Sequence, residues 1–400
     1  MRFGPSVSQA DRLFFLDWVR ILVFAILVFY HVGMYYVTWE FHVKSPHASP
    51  FLEPWMRLSS PWRMDLLFVV SGAATSFMVL RQGASGALLR LRARRLLIPL
   101  VFGMLVVVPP QSWLEVMQKL GYAGSYFDFM RLYLSGYQGF CLASGRCLIS
   151  PTWNHLWFLP YLFLYTVLLW LGLRKWPDML DRLGTGTAKG LRGAGLLAWP
   201  TLYLALTLLL LRKSFPQNYS VWRDWFSHSQ YLAMFILGAA LARTPCTFSG
   251  TSPGTSVNIW RQIAQWRWIA LALALAAWLT LVQAPWLARE AQLPMQSIGP
   301  WAYSVQQWCA IVAALGFAQV HLNRDSPARR YLTEAVFPVY ILHQTLILLL
   351  AYSFSPLALN PVLEGILLVS LTFALSLAGF EMIRRVHWLR PLFGLATKAN

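Results

Sequence analysis

Acidic side chains are scarce in this 400-residue chain: 15 Asp and Glu stand against 33 Lys and Arg, a formal net charge of +18. Charged residues of both signs make up only 12% of the sequence, where a soluble domain usually carries about 25%. That shortage, with 57% hydrophobic residues, excludes an ordinary water-soluble globular protein. Four cysteines are too few for a disulfide-dense scaffold. The His and Cys positions lack the spacing of a metal set, so no metal site is expected. There is no Gly-rich phosphate loop and no G-x-S-x-G elbow, so serine-hydrolase chemistry is unsupported. The apolar runs are continuous rather than alternating, which argues against a β-barrel. No internal repeat is visible. A basic balance can mark nucleic-acid binding, but here the basic residues sit in short connectors between apolar runs. Membrane topology explains them, and no nucleic-acid partner is expected.

What remains is an all-α polytopic membrane protein, with the lipid bilayer as its first partner. Twenty Trp and 16 Tyr suit the aromatic belts at the two membrane interfaces. Runs of spanning length predict ten transmembrane helices, at roughly 13–37, 64–81, 96–112, 154–173, 195–211, 226–242, 268–287, 300–320, 334–354 and 362–383. Residues 1–400 read as one membrane domain. Placing the N-terminus in the cytoplasm puts most of the 33 Lys and Arg residues on the cytoplasmic side, so the expected topology is N-in, C-in. The first run is interrupted by Asp17 and Arg20 and lacks a convincing small-x-small cleavage site, so it is expected to be a retained helix. The longest loop, about 113–153, then faces outward. It carries Cys141 and Cys147, which could bridge in an oxidising compartment or stay free. Cys246 and Cys309 fall in a cytoplasmic loop and in the eighth helix. Pro109-Pro110 should end the third helix.

Charged or titratable groups inside a spanning helix are costly and usually functional. The first helix holds three of them. Arg20 and His31 are eleven residues apart, about 16 Å of helix rise, or roughly half the hydrocarbon thickness. Imidazole titrates near neutral pH and can act as acid or base, which makes His31 the leading catalytic candidate; a lone His on an apolar face can also simply bond a neighbouring helix. Asp17 and Arg20 are three residues apart and can pair on one face. Arg20 therefore serves either the helix or a ligand, and it joins His31 and Asp17 in the candidate catalytic set. Arg92 and Arg95 form an R-x-x-R at the start of the third helix, with Arg90 and Arg94 beside them. Guanidinium groups grip phosphate oxygens bidentately, although positive-inside anchoring accounts for the same residues. His155 could orient a substrate, assist His31, or pack between Trp153 and Trp157. His343 and Gln344 are polar groups in an apolar run, lining a tunnel or satisfying helix packing. Asp65 and Glu115, near the outer ends of their helices, could each orient an imidazole. Ser71-Gly72 and Gly238 read as helix-packing residues.

The motifs fall in a definite order: FFLDWVRILVFAILVFYH in the first helix, WRMDLLFVVSG in the second, RLRARRLLIP entering the third and WNHLWFLPYLFLY opening the fourth. FILGAAL ends the sixth, VFPVYILHQTL lies in the ninth, and HWLRPLFG closes the chain. From about 13 to 395 this set resembles the membrane-bound acyltransferase-3 family, and most of all its glucan biosynthesis protein C group, which attaches succinyl groups to osmoregulated periplasmic glucans. Asp65 departs from that pattern, standing where a neutral residue precedes the FFxxSG-like run. The resemblance implies ten helices in a bacterial inner membrane and a cytoplasmic acyl-CoA donor (succinyl-CoA or acetyl-CoA), with no permanently bound cofactor. It also implies a periplasmic glycan acceptor, with R-x-x-R, here Arg92 and Arg95, handling the donor. A homo-oligomer is left open. Two rival classes fit the same helices: a secondary transporter or glycan exporter that couples protons through intramembrane Asp, Arg and His, and a structural subunit of another enzyme.

Overall fold

The computed structural model describes residues 13–142, 145, 147–244, 258–290 and 295–396; Cys246 lies outside them. Among the described residues the secondary structure is helical apart from a single bridge between Cys141 and Cys147. The helices are α1 (Phe14–Tyr36), α2 (Glu53–Ser59), α3 (Arg63–Gln82), α4 (Gly86–Phe102), α5 (Pro109–Leu120), α6 (Tyr126–Leu134), α7 (Phe158–Lys175) and α8 (Met179–Gly190). They continue with α9 (Gly195–Leu211), α10 (Trp225–Leu241), α11 (Ile259–Glu290), α12 (Met295–His321), α13 (Pro327–Phe354), α14 (Pro361–Arg385) and the short α15 (Leu389–Leu392).

Each of the ten expected segments is helical. Six helices among the described residues are long and apolar enough to cross a membrane, or seven if α8 and α9, bent by 108°, form one broken span. Among the others, α9 and α10 have 17 residues each, short of the roughly 20 that a span needs.

The expected third span departs most from the sequence reading. Its helix begins earlier, at Gly86, so the four arginines lie within α4 rather than at its entry. It passes into a π-helical turn, Gly103–Val107, directly before Pro109-Pro110. The prolines end that ladder as expected, because neither supplies an N–H. They also occupy the first turn of α5, where a missing N–H costs nothing, so the chain stays helical to a left-handed Gly121. The expected outer loop therefore holds most of α5 and all of α6, whose first turn is capped by the Ser125 hydroxyl accepting from the Asp128 N–H.

The fold divides into two compact units interleaved along the chain, and α1 contributes to both. The first comprises the chain up to Val23, Arg57–Leu88 and Tyr165–Arg330. Within it α11 packs along α12, and α3 lies against α10. That second crossing is closest at two glycines: a Cβ on Gly72 would overlap the Phe235 carbonyl, and one on Gly238 the Val69 carbonyl. Small residues let helix backbones approach to this degree.

The second unit comprises Phe24–Met56, Leu89–Leu164 and the chain from Tyr331 onward. Its core joins Val28, Val32, Tyr35 and Tyr36 of α1 to Leu114, to Ile347, Leu348 and Ala351 of α13, and to Leu368 of α14. Where α1 ends, Lys44 turns back and donates from Nζ to the Met34 and Val37 carbonyls, satisfying acceptors that the helix terminus leaves open. Tyr36 donates to Glu364 at 2.7 Å, fixing that end of α1 to the start of α14. At the opposite end of α14, Arg390 of the closing HWLRPLFG motif donates to the carbonyls of Ala396 and Arg384 and to Glu334. Gly394, at φ 69°, brings this turn beside the Arg95 carbonyl, which would stand 3.0 Å from an added Cβ. The C-terminal motif thus packs against α4 and the first half of α13.

Candidate active site

Three histidines of the second unit meet. His31 Nδ1 lies 2.8 Å from His343 Nε2, and the two rings are parallel to within 5°. His343 Nδ1 is 2.7 Å from the Tyr340 carbonyl. A carbonyl only accepts, so Nδ1 of His343 carries the proton and its Nε2 offers a lone pair. His31 must then donate from Nδ1, which leaves Nε2 as its unprotonated, basic nitrogen. The hydrogen-bond chain thus fixes the tautomer of both rings.

His155 stands edge-on to the His343 ring, 5.2 Å between centroids. Its Nε2 donates to the Ile341 carbonyl at 3.1 Å, and its Nδ1 accepts from the Gln111 amide at 3.3 Å. Tyr340 joins the two histidines: its hydroxyl donates to the His155 carbonyl at 2.6 Å, while its own carbonyl holds His343. Both His155 and His343 are buried.

Gln111 is the hub beneath them. Its amide nitrogen also donates to Thr345 Oγ1 at 2.7 Å, and its oxygen accepts from Gln344 at 3.0 Å and Asn154 at 3.2 Å. Thr345 in turn donates to the Val107 carbonyl at 2.7 Å. That acceptor is available because Gln111 N–H bonds Val108 instead, at the break made by the π-turn and the proline pair. π-turns inside helices often mark functional sites. A buried amide left without partners costs about 1–3 kcal/mol, so this network holds its members in place.

The other predicted residues lie elsewhere. Asp17 is held by Arg329, which also bonds Asp325 at 2.7 Å and lies over the Phe14 ring; the expected partner for Asp17 was Arg20, and the structure supplies a residue from α13. Arg20 is half-buried in α1 and partnered. Asp65 belongs to the first unit, buried in the first turn of α3, and accepts from Gln307 at 2.8 Å. Gln307 also donates to Gln230, which reaches Thr207. Glu115 does not orient His31. Its two oxygens take His42 Nδ1 at 2.5 Å and Lys119 Nζ at 2.8 Å. Burial pushes its carboxyl up, but those two partners outweigh burial and hold it down at about 2. Arg92 and Arg95 sit three residues apart on α4; Arg92 is half-buried and partnered, whereas Arg95 is exposed, as are Arg90 and Arg94. Cys141 and Cys147 form a disulfide, and Cys309 is buried and free.

Sequence reasoning missed Gln111, Asn154, Tyr340, Thr345 and His42. Gln111 carries a faint signal, an amide just after a proline pair within an apolar stretch. Tyr340 and His42 carry none, because aromatic residues abound here and loop histidines are common.

An acyltransferase domain model matches residues 13–381. The chain belongs to the acyltransferase-3 family. No curated protein and no solved structure matches it. With its apolar helices, the family match makes this chain a multi-pass membrane acyltransferase.

Proposed function

We propose that the chain is a bacterial inner-membrane O-acyltransferase of ten spans, N-in and C-in, acting as one domain. It moves an acyl group, succinyl before acetyl, from cytoplasmic acyl-CoA to a hydroxyl of a periplasmic glucan or another envelope glycan, as in the glucan biosynthesis protein C group. The observation that carries this reading is the His31–His343 pair, whose bonding leaves a basic nitrogen on His31.

In this scheme the donor's phosphates dock on Arg92 and Arg95 of α4, and the thioester reaches His31. His31 Nε2 removes the acceptor hydroxyl proton as the oxygen attacks the thioester carbon. The tetrahedral adduct collapses with loss of the CoA thiolate, which takes the proton back from the imidazolium. The new bond is an ester C–O and the broken one a C–S, so no further reactant is needed. His343 plays the part that a carboxylate plays in a hydrolase triad: it fixes the tautomer and ring plane of His31. An acyl-histidine on His31 is the two-step variant. A buried thioester is also kept from water. Arg20, eleven residues before His31, is the basic group that would favour a succinyl carboxylate, and the Asp17–Arg329 pair anchors its helix.

The transporter reading draws on one observation, the buried run Asp65–Gln307–Gln230–Thr207, since polar chains within a membrane also conduct protons. CoA release separates the two. The purified protein in nanodiscs should release CoA from acyl-CoA when a β-glucan is supplied, and a folded His31→Ala protein should not. Unimpaired release by His31→Ala would sink the scheme.

A further inference from the structure

One cavity of the second unit is not used by the chemistry above. It has a volume of about 240 Å³ and is bounded by α5, by the loop after α1 and by the disulfide segment, with Ile149 at its rim 78% exposed. Its lining includes His42, Glu115, Lys119, Thr152, Asn154 and Phe140. Pockets for drug-sized ligands run roughly 300–1,000 Å³, so this one is scaled to a single ring. Its charges nearly cancel, because Glu115 holds both His42 and Lys119. Hydrogen-bonding capacity nevertheless remains: a carboxylate has about four lone-pair sites, and an ammonium has three donors. Charge-balanced donors and acceptors beside the Phe140 ring and aliphatic side chains recognise a neutral polyhydroxylated ring, with its polar hydroxyls and apolar C–H face, better than an anion or a hydrocarbon.

The cavity is wired to the histidines. Asn154, at φ 39°, adopts a left-handed backbone that asparagine tolerates better than most residues. Its side chain accepts from Thr152 at 3.1 Å and donates to Gln111 at 3.2 Å, and Gln111 holds His155. Tyr133 fixes the same stretch: its hydroxyl reaches the Met104 carbonyl at 2.9 Å and accepts from the Thr152 N–H at 3.0 Å. The cavity wall and the base network therefore share Asn154.

We propose that this cavity is the acceptor subsite, holding one neutral hexopyranose unit of the glycan whose hydroxyl is presented to His31. The assignment of an acceptor role rests on the acyltransferase reading; the preference for a neutral sugar ring rests on the cavity alone. The test is binding of a β-linked glucose disaccharide to the full chain in nanodiscs without donor, followed by isothermal titration calorimetry. Wild type should bind the disaccharide. His42→Ala should weaken binding by up to roughly tenfold, the size of one lost hydrogen bond. Ile149→Trp, at an exposed position where folding is safe, should block the cavity while acyl-CoA binding stays unchanged. Disaccharide binding without any CoA release would overturn the transferase reading and leave the sugar site standing. Absence of binding to wild type, or undiminished binding to Ile149→Trp, would overturn the site.

Discussion

At the scale of single residues, the proposed chemistry turns on which nitrogen of His31 is basic. That choice is made through His343, whose Nδ1 donates to the Tyr340 carbonyl. Removing His343 should therefore lower kcat while leaving the donor KM in place. His343→Ala should lose less than the roughly 10²–10⁴ that a general base contributes, and His343→Gln, whose oxygen can still accept from His31 Nδ1, should recover part of the loss. Steady-state kinetics on the two variants checks this, and equal loss in both would point to packing instead. His31 stands out in the sequence as a titratable group eleven residues from an arginine in a spanning helix, although a bond to a neighbouring helix would account for it as well. Its partner was not legible. His343 also sat in an apolar run, but nothing in a linear sequence says that α13 runs beside α1 with those two rings at one level. Asp17 teaches the same lesson: its near neighbour Arg20 was the local choice, and tertiary packing brought Arg329.

At the scale of elements, hydrophobic run length located the helices well, and failures came where backbone chemistry overrode composition. The third expected span is the example. Pro109-Pro110, expected to end the helix and turn the chain into the outer loop, do end one hydrogen-bond ladder, but they open α5 instead of a loop and free the Val107 carbonyl for Thr345. The amphipathic α5 then carries Glu115, whose contact with His42 joins it to the loop after α1. That contact has a defined pH window. The folded carboxyl titrates at about 2, below its ordinary 4.5. A depressed carboxylate contributes stability that is fully present above the unfolded value and disappears as pH falls through the folded one. Hydrogen-exchange protection of residues 37–49 and 109–120 should thus hold from pH 7 to 5 and decline between 4.5 and about 2, with Glu115→Gln removing that step. Loss of protection already near pH 6 would contradict the assignment.

At the scale of the whole molecule, the ordered motifs carried more than any one of them. VFPVYILHQTL and HWLRPLFG lie far apart in sequence from RLRARRLLIP, yet in the second unit Phe337, Gly394 and the Arg95 carbonyl are in contact. The distribution of Lys and Arg predicts an orientation, and the disulfide offers a check on that prediction. A Cys141–Cys147 bridge persists in an oxidising compartment and not in a reducing cytosol. Protein from bacterial membranes, denatured without reductant, should expose two of its four thiols, and all four after reduction. Four at the outset would place that loop in the cytoplasm. The central claim, acyl transfer to a sugar hydroxyl by His31, is tested most directly at the product. Mass spectrometry of a β-glucan incubated with the purified protein and either succinyl-CoA or acetyl-CoA should find an ester-linked acyl group, more with succinyl-CoA, and none with His31→Ala. Equal acylation by wild type and His31→Ala would contradict the account.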